Sequence, residues 1–285
     1  MDYWFSPNLN FTNLSKKIKH IQTVHDLSFE IMPECFTRKM CLWHKFLNPK
    51  RQCKKATLVL VPSISTKEDV EEIYKIKKVR VLYPGLSSSF KSQILDISSD
   101  EIKQKYNLPE KYILYLGTLE PRKNILSIIE AFKINYELGI NNYELVIAGS
   151  KGWKNEEILQ AIESTEGVRY IGYVADEDKP GLYKYARLFV YPSLYEGFGL
   201  PVLEAMASGV PVITSNRSSM PEVVGGSAIL VNPYDVGEIA KAMKKILSDR
   251  QLCDMLVERG NGQSGKFNWG KTADGLIELL NSNLN

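Results

Sequence analysis

The stretch ARLFVYPSLYEGFGLPVLEAMASGVPVITS, residues 186–215, carries the pattern on which the fold prediction rests. It begins with an apolar run that ends at Ser193, passes through a Gly-rich loop into an apolar helical pattern, and ends in a second apolar run. Nearly continuous apolar runs are typical of strands that are covered on both faces. Gly209 is expected to end the helix as its C-cap. The stretch therefore predicts a strand, a helix and a second strand.

The same alternation extends over the chain from residue 100 onward. Strands are predicted at 112–117, 143–149, 168–173, 186–193, 210–215 and 228–233, with helical patterns between them. Such alternation indicates an α/β fold with a doubly wound parallel sheet, in which ligands bind beyond the carboxyl ends of the strands. Polar and Gly-rich residues follow four of these strands, so we predict a ligand site at that rim.

The first 95 residues are less regular. Strands are expected at 21–29, 56–63 and 79–86, and a helix in STKEDVEEIYKI, with Ser65 or Thr66 as its N-cap. Residues 84–100 are rich in Ser, Pro and Gly and are interpreted as an interdomain linker.

Length and composition suit a soluble globular chain of two domains, with 285 residues, 44% hydrophobic and 24% charged. The net charge is +3, yet residues 15–80 carry 15 Lys and Arg against 7 Asp and Glu. We interpret this excess as a solvated face, with attraction to anionic lipid or to a phosphate-bearing acceptor as the functional alternative. Nucleic acid is disfavoured as a partner, because no basic-aromatic platform accompanies the charge.

Targeting and metal signals are weak. The sequence holds no run of 18 apolar residues, and its first residues lack the basic and apolar regions of a secretory signal. The four cysteines indicate no disulfide framework and fit a reducing cytoplasm. Zinc binding by Cys35, Cys41, His44 and Cys53 is disfavoured, because the spacing lacks a C-x2-C pair.

The segment EGFGLPVLE, residues 196–204, combines an anion site with carboxylates. Gly197 and Gly199 permit backbone conformations and close approaches that a side chain forbids. Pro201 suits the first turn of a helix, whose N–H groups and positive dipole end can hold a phosphate. Glu196 and Glu204 beside that anion would bind hydroxyl groups of the same ligand.

Arg122 and Lys123 form a second anion site, five and six residues beyond Gly117 and just before a helix. A guanidinium can hold phosphate oxygens bidentately. Two anion sites on one rim favour a diphosphate, and a diphosphate flanked by hydroxyl groups is a sugar nucleotide. The sequence therefore predicts binding of a sugar nucleotide.

Three segments carry a resemblance to a known family: LGTLEPRKN at 116–124, the long stretch from 191 to 235, and FNWGKTADGLIELL at 267–280. They resemble the retaining GT-B glycosyltransferases of family 4, also called glycosyltransferase group 1. The resemblance implies an α/β GT-B fold of two Rossmann-like domains with parallel sheets. It places an acceptor-side domain at 1–95, a donor domain at 96–262 and a terminal helix returning to the first domain at 263–285.

The resemblance also implies roles for the donor-side residues. Arg122 and Lys123 would neutralise the diphosphate, Glu196 would face the transferred sugar, and Glu204 would hold the ribose hydroxyls. Gly117 would allow close approach of the ligand. The remaining donor contacts would come from the main chain. The main chain of Val174 would bind the nucleotide base. The phosphate and the sugar would be bound by the N–H groups of Gly197, Phe198, Gly199 and Leu200.

On the acceptor side, His25 in TVHDLSF matches the family's His-Asp pair and is the catalytic candidate of the first domain. Asp26 is expected to be an orienting or structural neighbour. The D-x-D pattern of Asp176 and Asp178 is interpreted as a helix cap rather than a metal site. We therefore expect no metal and no cofactor, with a nucleoside-diphosphate sugar as the donor substrate.

The predicted function is that of a retaining transferase of a hexose, with mannose suggested by GTLEPRKN, acting on a glycan or lipid-linked acceptor. The first domain is short for the family, and a Gly-rich turn usual near its start has no counterpart here. The alternatives are a catalytically weak sugar-nucleotide-binding fragment, which a separate chain or a second copy would complete, and a GT-B epimerase. The expected location is cytoplasmic, with peripheral contact at the inner membrane face as a further hypothesis.

Overall fold

The computed structural model describes residues 3–11, 14, 15, 17–90 and 99–282. The chain divides into two compact units: Met1–Gly85, Glu196–Phe198 and Asn268–Asn285 form the first, and Leu86–Tyr195 and Gly199–Phe267 form the second. Each unit is built around one sheet whose strands all pair in parallel. The prediction of an α/β fold with two parallel sheets is confirmed.

The first unit has a four-stranded sheet in the order β1-β2-β3-β4. Its strands are β1 (Tyr3–Ser6), β2 (Lys19–Thr23), β3 (Leu58–Val61) and β4 (Val79–Val81). The central β3 is buried along its whole length, as its continuous apolar run predicts. Strand β1 was not among the predicted strands, because its four residues alone carry too little pattern; pairing with β2 from Tyr3↔Lys19 onward defines it.

The helices between these strands are α1 (Ser28–Ile31), α2 (Arg38–Leu47), α3 (Pro49–Lys55) and α4 (Ile64–Tyr74). The sequence reasoning missed α2 and α3, which meet at Asn48, a residue in the left-handed region with φ of 48°. The predicted cap of α4 was wrong by two or three residues. Ser63 is the N-cap, because its Oγ accepts a hydrogen bond of 3.0 Å from the Thr66 N–H.

The second unit has a six-stranded sheet in the order β10-β9-β8-β5-β6-β7. Its strands are β5 (Tyr112–Leu116), β6 (Glu144–Ala148), β7 (Val168–Gly172), β8 (Leu188–Tyr191), β9 (Val212–Ser215) and β10 (Ile229–Val231). All six predicted strands of this region are confirmed. The chain proceeds outward from β5 in one direction and from β8 in the other, so the topological switch point lies between β5 and β8, where such sheets bind ligands.

Eight helices of this unit lie within the described residues. They are α5 (Ser99–Lys105), α6 (Ile125–Glu137), α7 (Glu156–Ser164), α8 (Lys179–Lys184), α9 (Leu200–Ala207), α10 (Met220–Val224), α11 (Val236–Ser248) and α12 (Arg250–Ser264). Gly209 ends α9 as predicted: its φ is +74°, and its N–H and that of Val210 donate to the carbonyls of Met206 and Ala205. In the described part of the chain, no helix is both long and apolar enough to span a bilayer.

The last helix, α13 (Trp269–Ser282), belongs to the first unit. Three of its leucines pack against buried residues of β2 and β3, namely Leu276, Leu279 and Leu280 on Ile21, Leu58 and Leu60. The helix is also tied at its start, where Thr272 Oγ1 donates to the Tyr83 carbonyl over 2.7 Å. Of the predicted linker at 84–100, residues 91–98 lie outside the described residues.

Candidate functional site

The switch point of the second unit joins two loops that the sequence assigned to anion binding. The turn Pro121–Lys123 follows β5, and the loop from Pro192 follows β8. The Leu194 N–H donates to the Arg122 carbonyl over 2.9 Å, and Arg122 Nη1 donates to the Tyr195 carbonyl over 2.6 Å. The structure therefore brings the predicted cations against the segment that leads into the Gly-Phe-Gly motif.

Arg122 is held by a carboxylate that the sequence reasoning did not consider. Its Nη2 lies 2.7 Å from Oε1 of Glu120, whose side chain is buried, while the Arg122 side chain is 11% exposed. Glu120 offsets part of the positive charge, so Glu120, Arg122 and Lys123 together carry one net positive charge. The position of Glu120 in LEPRK, two residues before the arginine, is the signal that could have identified it.

Lys123 is buried against aromatic rings. Its Nζ donates to the Tyr191 hydroxyl over 2.6 Å and lies 5.1 Å from the centre of that ring. Tyr191 in turn stacks on Tyr115 and Phe189, with ring centres 5.9 and 5.7 Å apart. The ammonium group is therefore positioned by side chains of β5 and β8, none of which the sequence reasoning had selected.

Asn124 ties the turn after β5 to two further loops. Its backbone is left-handed, with φ of 60°, and its Nδ2 donates to the carbonyls of Pro192 and Pro233 over 3.2 and 2.7 Å. Its Oδ1 accepts a hydrogen bond of 2.7 Å from Ser127 Oγ. This one side chain therefore connects the segments that follow β5, β8 and β10.

Gly117 was predicted to be glycine so that a ligand can approach closely. The packing around it gives a further reason. A Cβ atom at Gly117 would lie 2.9 Å from the Tyr115 hydroxyl oxygen. A Cβ at Gly149, whose φ is +132°, would lie 2.0 Å from the Gly117 carbonyl oxygen. The two backbones therefore approach each other closely where β5 and β6 end.

The start of α9 is an open helix N-terminus. Gly199 is its N-cap residue with φ of +106°, Leu200 opens the helix, and Pro201 lies in the first turn. Within the described residues no side chain caps this end. A Cβ at Gly199 would lie 2.3 Å from Cε of Met220, so the packing of α10 also requires glycine here. Such an end can accept an anion on its N–H groups.

Glu204 lies one turn further along α9. Its Oε2 accepts a hydrogen bond of 3.0 Å from the buried Tyr183 hydroxyl. Burial raises the pKa of Glu204, while the charge of Lys179 and the hydrogen bond from Tyr183 oppose that rise. Burial also raises the pKa of Tyr183 well above its usual range. Glu204 is therefore a partly desolvated carboxylate, suited to accept hydrogen bonds from ligand hydroxyls.

Val174 follows β7 and is buried, so its main chain rather than its side chain is the group that could meet a ligand. The expectation that the nearby acids cap α8 is wrong for Asp178. It occupies the N-cap position, but Lys105 Nζ and the Tyr106 hydroxyl donate to its Oδ2 over 2.6 and 2.5 Å. Burial acts to raise the pKa of Asp178, but these two hydrogen bonds outweigh it and the pKa is lowered. Among the described residues, no three His, Cys, Asp or Glu side chains group as metal ligands would.

In the first unit, His25 lies just after β2 and is exposed. Its Nε2 lies 2.8 Å from both the Pro7 carbonyl oxygen and Asn8 Oδ1. Because a carbonyl only accepts, Nε2 donates the hydrogen bond, and Nδ1 is the other ring nitrogen. Asp26 instead accepts from the N–H and hydroxyl of Ser28 over 2.8 and 2.6 Å, so it fixes the start of α1.

Glu196, Gly197 and Phe198 group with the first unit, and all three are buried. The Gly197 carbonyl accepts hydrogen bonds of 2.7 and 3.1 Å from Ser63 Oγ and Thr66 Oγ1. A Cβ at Gly197 would lie 2.0 Å from the His25 carbonyl oxygen, so only glycine fits. Ser63 and Thr66 therefore hold the backbone of this motif through its carbonyl, a role that the sequence reasoning did not foresee.

Several solved structures share this fold. Sucrose-phosphate synthase from Thermosynechococcus elongatus superposes with a TM-score of 0.76 at 24% identity, over 93% of this chain and 67% of that one. Anabaena HepE, solved with UDP and glucose, gives a TM-score of 0.77 at 19% identity, over 93% and 72%. The fold is therefore the GT-B fold predicted from the sequence motifs.

The chain belongs to the family of group 1 glycosyl transferases, whose characteristic domain matches residues 98–263. O-antigen chain mannosyltransferase B of Escherichia coli is 37% identical over 257 residues, which cover 87% of this chain and 66% of that protein. O-antigen chain mannosyltransferase RfbU of Salmonella typhimurium is 31% identical, over 84% of this chain and 63% of that protein. The chain thus spans somewhat less than two thirds of these relatives.

Proposed function

We propose that this chain transfers a mannosyl unit from a nucleoside-diphosphate sugar to a glycan or lipid-linked acceptor, with retention of configuration at the anomeric carbon. The names of its relatives support mannose as the sugar and a polysaccharide as the product. Family membership and the GT-B fold support glycosyl transfer as the reaction class.

The pair of hydrogen bonds between Arg122 and the segment Leu194–Tyr195 carries the donor half of the proposal. These bonds hold the turn after β5 against the loop after β8, at the switch point where α/β sheets bind ligands. The diphosphate would lie there on Arg122 and Lys123, with N–H groups from Gly199 and Leu200 as further donors.

The remaining groups would act on the other parts of the donor. Glu204 would accept hydrogen bonds from the ribose hydroxyls, and the Val174 main chain would pair with the base. Glu196 would bind hydroxyls of the transferred sugar, and His25 would contribute through Nδ1. These assignments agree with the chemistry of each group, since carboxylates accept from hydroxyls and a neutral imidazole nitrogen accepts a proton.

In the proposed reaction the bond between the anomeric carbon and the diphosphate oxygen breaks. The acceptor hydroxyl forms the new bond on the same face, and its proton passes to the departing phosphate oxygen. Arg122 and Lys123 would stabilise the charge that develops on that oxygen, and electrostatic stabilisation of this kind is usually the largest single contribution to enzyme catalysis. No metal is needed in this scheme.

The experiment combines donor binding and turnover. The protein is incubated with GDP-mannose, UDP-glucose or UDP-N-acetylglucosamine, and binding and nucleoside-diphosphate release are measured with and without a mannan acceptor. We expect release from GDP-mannose that depends on the acceptor. Arg122→Ala and Glu196→Ala should each lower transfer by at least about 10²-fold, whereas Lys111→Ala, at the exposed position just before β5, should not. Wild-type rates in both site variants would refute the site.

A second candidate function is donor binding without turnover. It is favoured by one observation: this chain spans somewhat less than two thirds of the length of its relatives. In the same experiment this candidate predicts binding without release under all conditions. Release without an acceptor would instead favour an epimerase.

A further inference from the structure

Helix α2 exposes an apolar face. Leu42, Trp43 and Phe46 recur with the spacing of one side of a helix, and their exposed fractions are 58%, 52% and 73%. Phe11, 60% exposed, extends this face, because its ring packs edge-on to Trp43 with centres 5.4 Å apart. We call these four residues the α2 patch.

The orientation of α2 is fixed by its opposite face. The His44 ring stacks on Phe29 with centres 4.1 Å apart and meets Phe36 at 6.0 Å. Leu47 is buried on the same side. Since this inward side is packed, the apolar outward face is a stable feature of the fold.

Helices α2 and α3 carry several cations and no acidic residue. The sequence holds no Asp or Glu between Cys35 and Lys67. The exposed cations of α2 and α3 are Arg38, Lys39, Lys45, Lys50, Arg51, Lys54 and Lys55. This setting favours a partner that is anionic over a broad area, as the surface of an anionic bilayer is. It complements a surface that is anionic and apolar underneath.

A cavity of about 740 Å³ opens beside the patch. Phe46, Leu47 and Ile18 line its apolar part, and Arg51 and Lys55 line its charged part. Cationic and apolar walls in one cavity match a phospholipid, whose phosphate and glycerol region joins an anion to a hydrocarbon chain.

We propose that the α2 patch and its cations dock the chain on an anionic phospholipid bilayer. Phe11, Trp43 and Phe46 would enter the boundary between head groups and acyl chains, as the apolar faces of interfacial helices do. The cations of α2 and α3 would meet the lipid phosphates, each adding to the attraction. The proposal does not depend on the chemical reaction of the site described above.

The first test is co-sedimentation of the full chain with vesicles of phosphatidylcholine, alone or with about 30 mol% phosphatidylglycerol. We expect at least about tenfold stronger partitioning onto the anionic vesicles, and weaker partitioning as salt screens the charges. Absence of binding to the anionic vesicles, or equal binding to both kinds, would overturn the proposal.

Variants locate the surface. Trp43→Ser with Phe46→Ser, and Arg51→Gln with Lys54→Gln and Lys55→Gln, should each lower partitioning by about tenfold or more. The matched controls are Leu138→Ser, at another exposed leucine, and Lys241→Gln with Lys244→Gln and Lys245→Gln on α11. All these side chains are exposed, so circular dichroism should show unchanged folding.

Analytical ultracentrifugation tests the competing explanation, in which a second protein chain covers the α2 patch. If the patch variants bind vesicles as the wild type does but change the oligomeric state, the patch is a protein interface and the proposal fails. If they lose vesicle binding and keep the wild-type oligomeric state, the lipid assignment stands.

Discussion

At the scale of single residues, Arg122 is oriented before any ligand arrives. Its two terminal nitrogens donate in different directions, to Glu120 and to the Tyr195 carbonyl. A guanidinium can do this because its donors form a rigid fork, whereas a lysine presents one point charge. Preorganisation of this kind lowers the cost of ordering a side chain when a charged ligand binds.

We expect the ionised Glu204 side chain to lower the stability of the folded protein although it contributes to donor binding. Burial raises its pKa above the ordinary value of 4.5, so ionising it in the folded state is unfavourable. A carboxyl with a raised pKa contributes stability at low pH that is lost as the pH rises through its folded pKa. Glu204→Gln should therefore raise Tm at pH 7, with a difference that vanishes below about pH 4.5, while it weakens donor binding.

Differential scanning fluorimetry between pH 4 and pH 8 measures this effect. Glu163→Gln, at an exposed position of α7, is the control and should leave Tm nearly unchanged at every pH. A Glu204→Gln protein that is less stable than wild type at pH 7 would contradict the prediction.

Gly149 should be irreplaceable by alanine. A Cβ there would lie 2.0 Å from the Gly117 carbonyl oxygen, and its φ of +132° is unfavourable for any other residue. Gly149→Ala should lower the free energy of unfolding by about 2–4 kcal/mol in urea titrations. Gly262→Ala in α12 is the matched control, because among the described residues no atom beyond its chain neighbours and the nearby helix backbone lies within 4 Å of its Cβ position. This variant should be neutral or stabilise by up to about 1 kcal/mol.

At the scale of elements, loops are held by side chains that bond to carbonyls of other loops. Asn124 does this for the segments after β5, β8 and β10, and Ser63 and Thr66 do it for Gly197. In each case the contacts join positions far apart in the sequence. Local motif reasoning placed the loops but could not identify what holds them.

Asn124→Asp tests this account for the second unit. The substitution keeps the shape and the left-handed tolerance but removes both Nδ2 hydrogen bonds and sets a carboxylate against two carbonyls. We expect a loss of about 1–3 kcal/mol in the free energy of unfolding and weaker donor binding. Asn141→Asp, on an exposed loop, should show neither change; equal stabilities of the two variants would argue against the tie.

Helix caps show the limit of local rules at this scale. The cap of α4 is Ser63, two residues before the predicted Ser65, because the helix begins directly after β3 and its loop. Asp178 has the right residue type and position for a cap, but Lys105 at the end of α5 and the adjoining Tyr106 bind its carboxylate. A tertiary partner thus replaced the local interaction that the sequence favours.

At the scale of the whole molecule, the first unit is assembled from segments distant in the chain. Helix α13 covers one face of its sheet, with leucines on Ile21, Leu58 and Leu60. The C-terminal residues are therefore part of the core of the N-terminal unit.

Substitutions at the adjacent positions Leu276 and Ile277 test whether α13 covers the sheet of the first unit. Leu276 packs on the sheet, whereas Ile277 is exposed. Leu276→Ala should cost about 1–3 kcal/mol, and hydrogen exchange should increase in the amides of β2 and β3. Ile277→Ala should cost much less, and an equal effect at both positions would show that α13 does not cover the sheet.

The sequence by itself determined the parallel α/β fold, the strands of the second unit, and the family, because continuous apolar runs and Gly-rich turns at strand ends are local signals. It also selected Arg122, Lys123, Glu196 and Glu204, because charged residues beside helix starts stand out in a motif. Only the tertiary structure revealed that the Tyr195 carbonyl accepts a hydrogen bond from Arg122, that the Tyr191 hydroxyl accepts one from Lys123, and that Ser63 and Thr66 hold the Gly197 carbonyl. Those partners lie on other elements, and a hydrogen bond of under 3 Å between distant segments depends on the packing of the whole sheet rather than on neighbours in the chain.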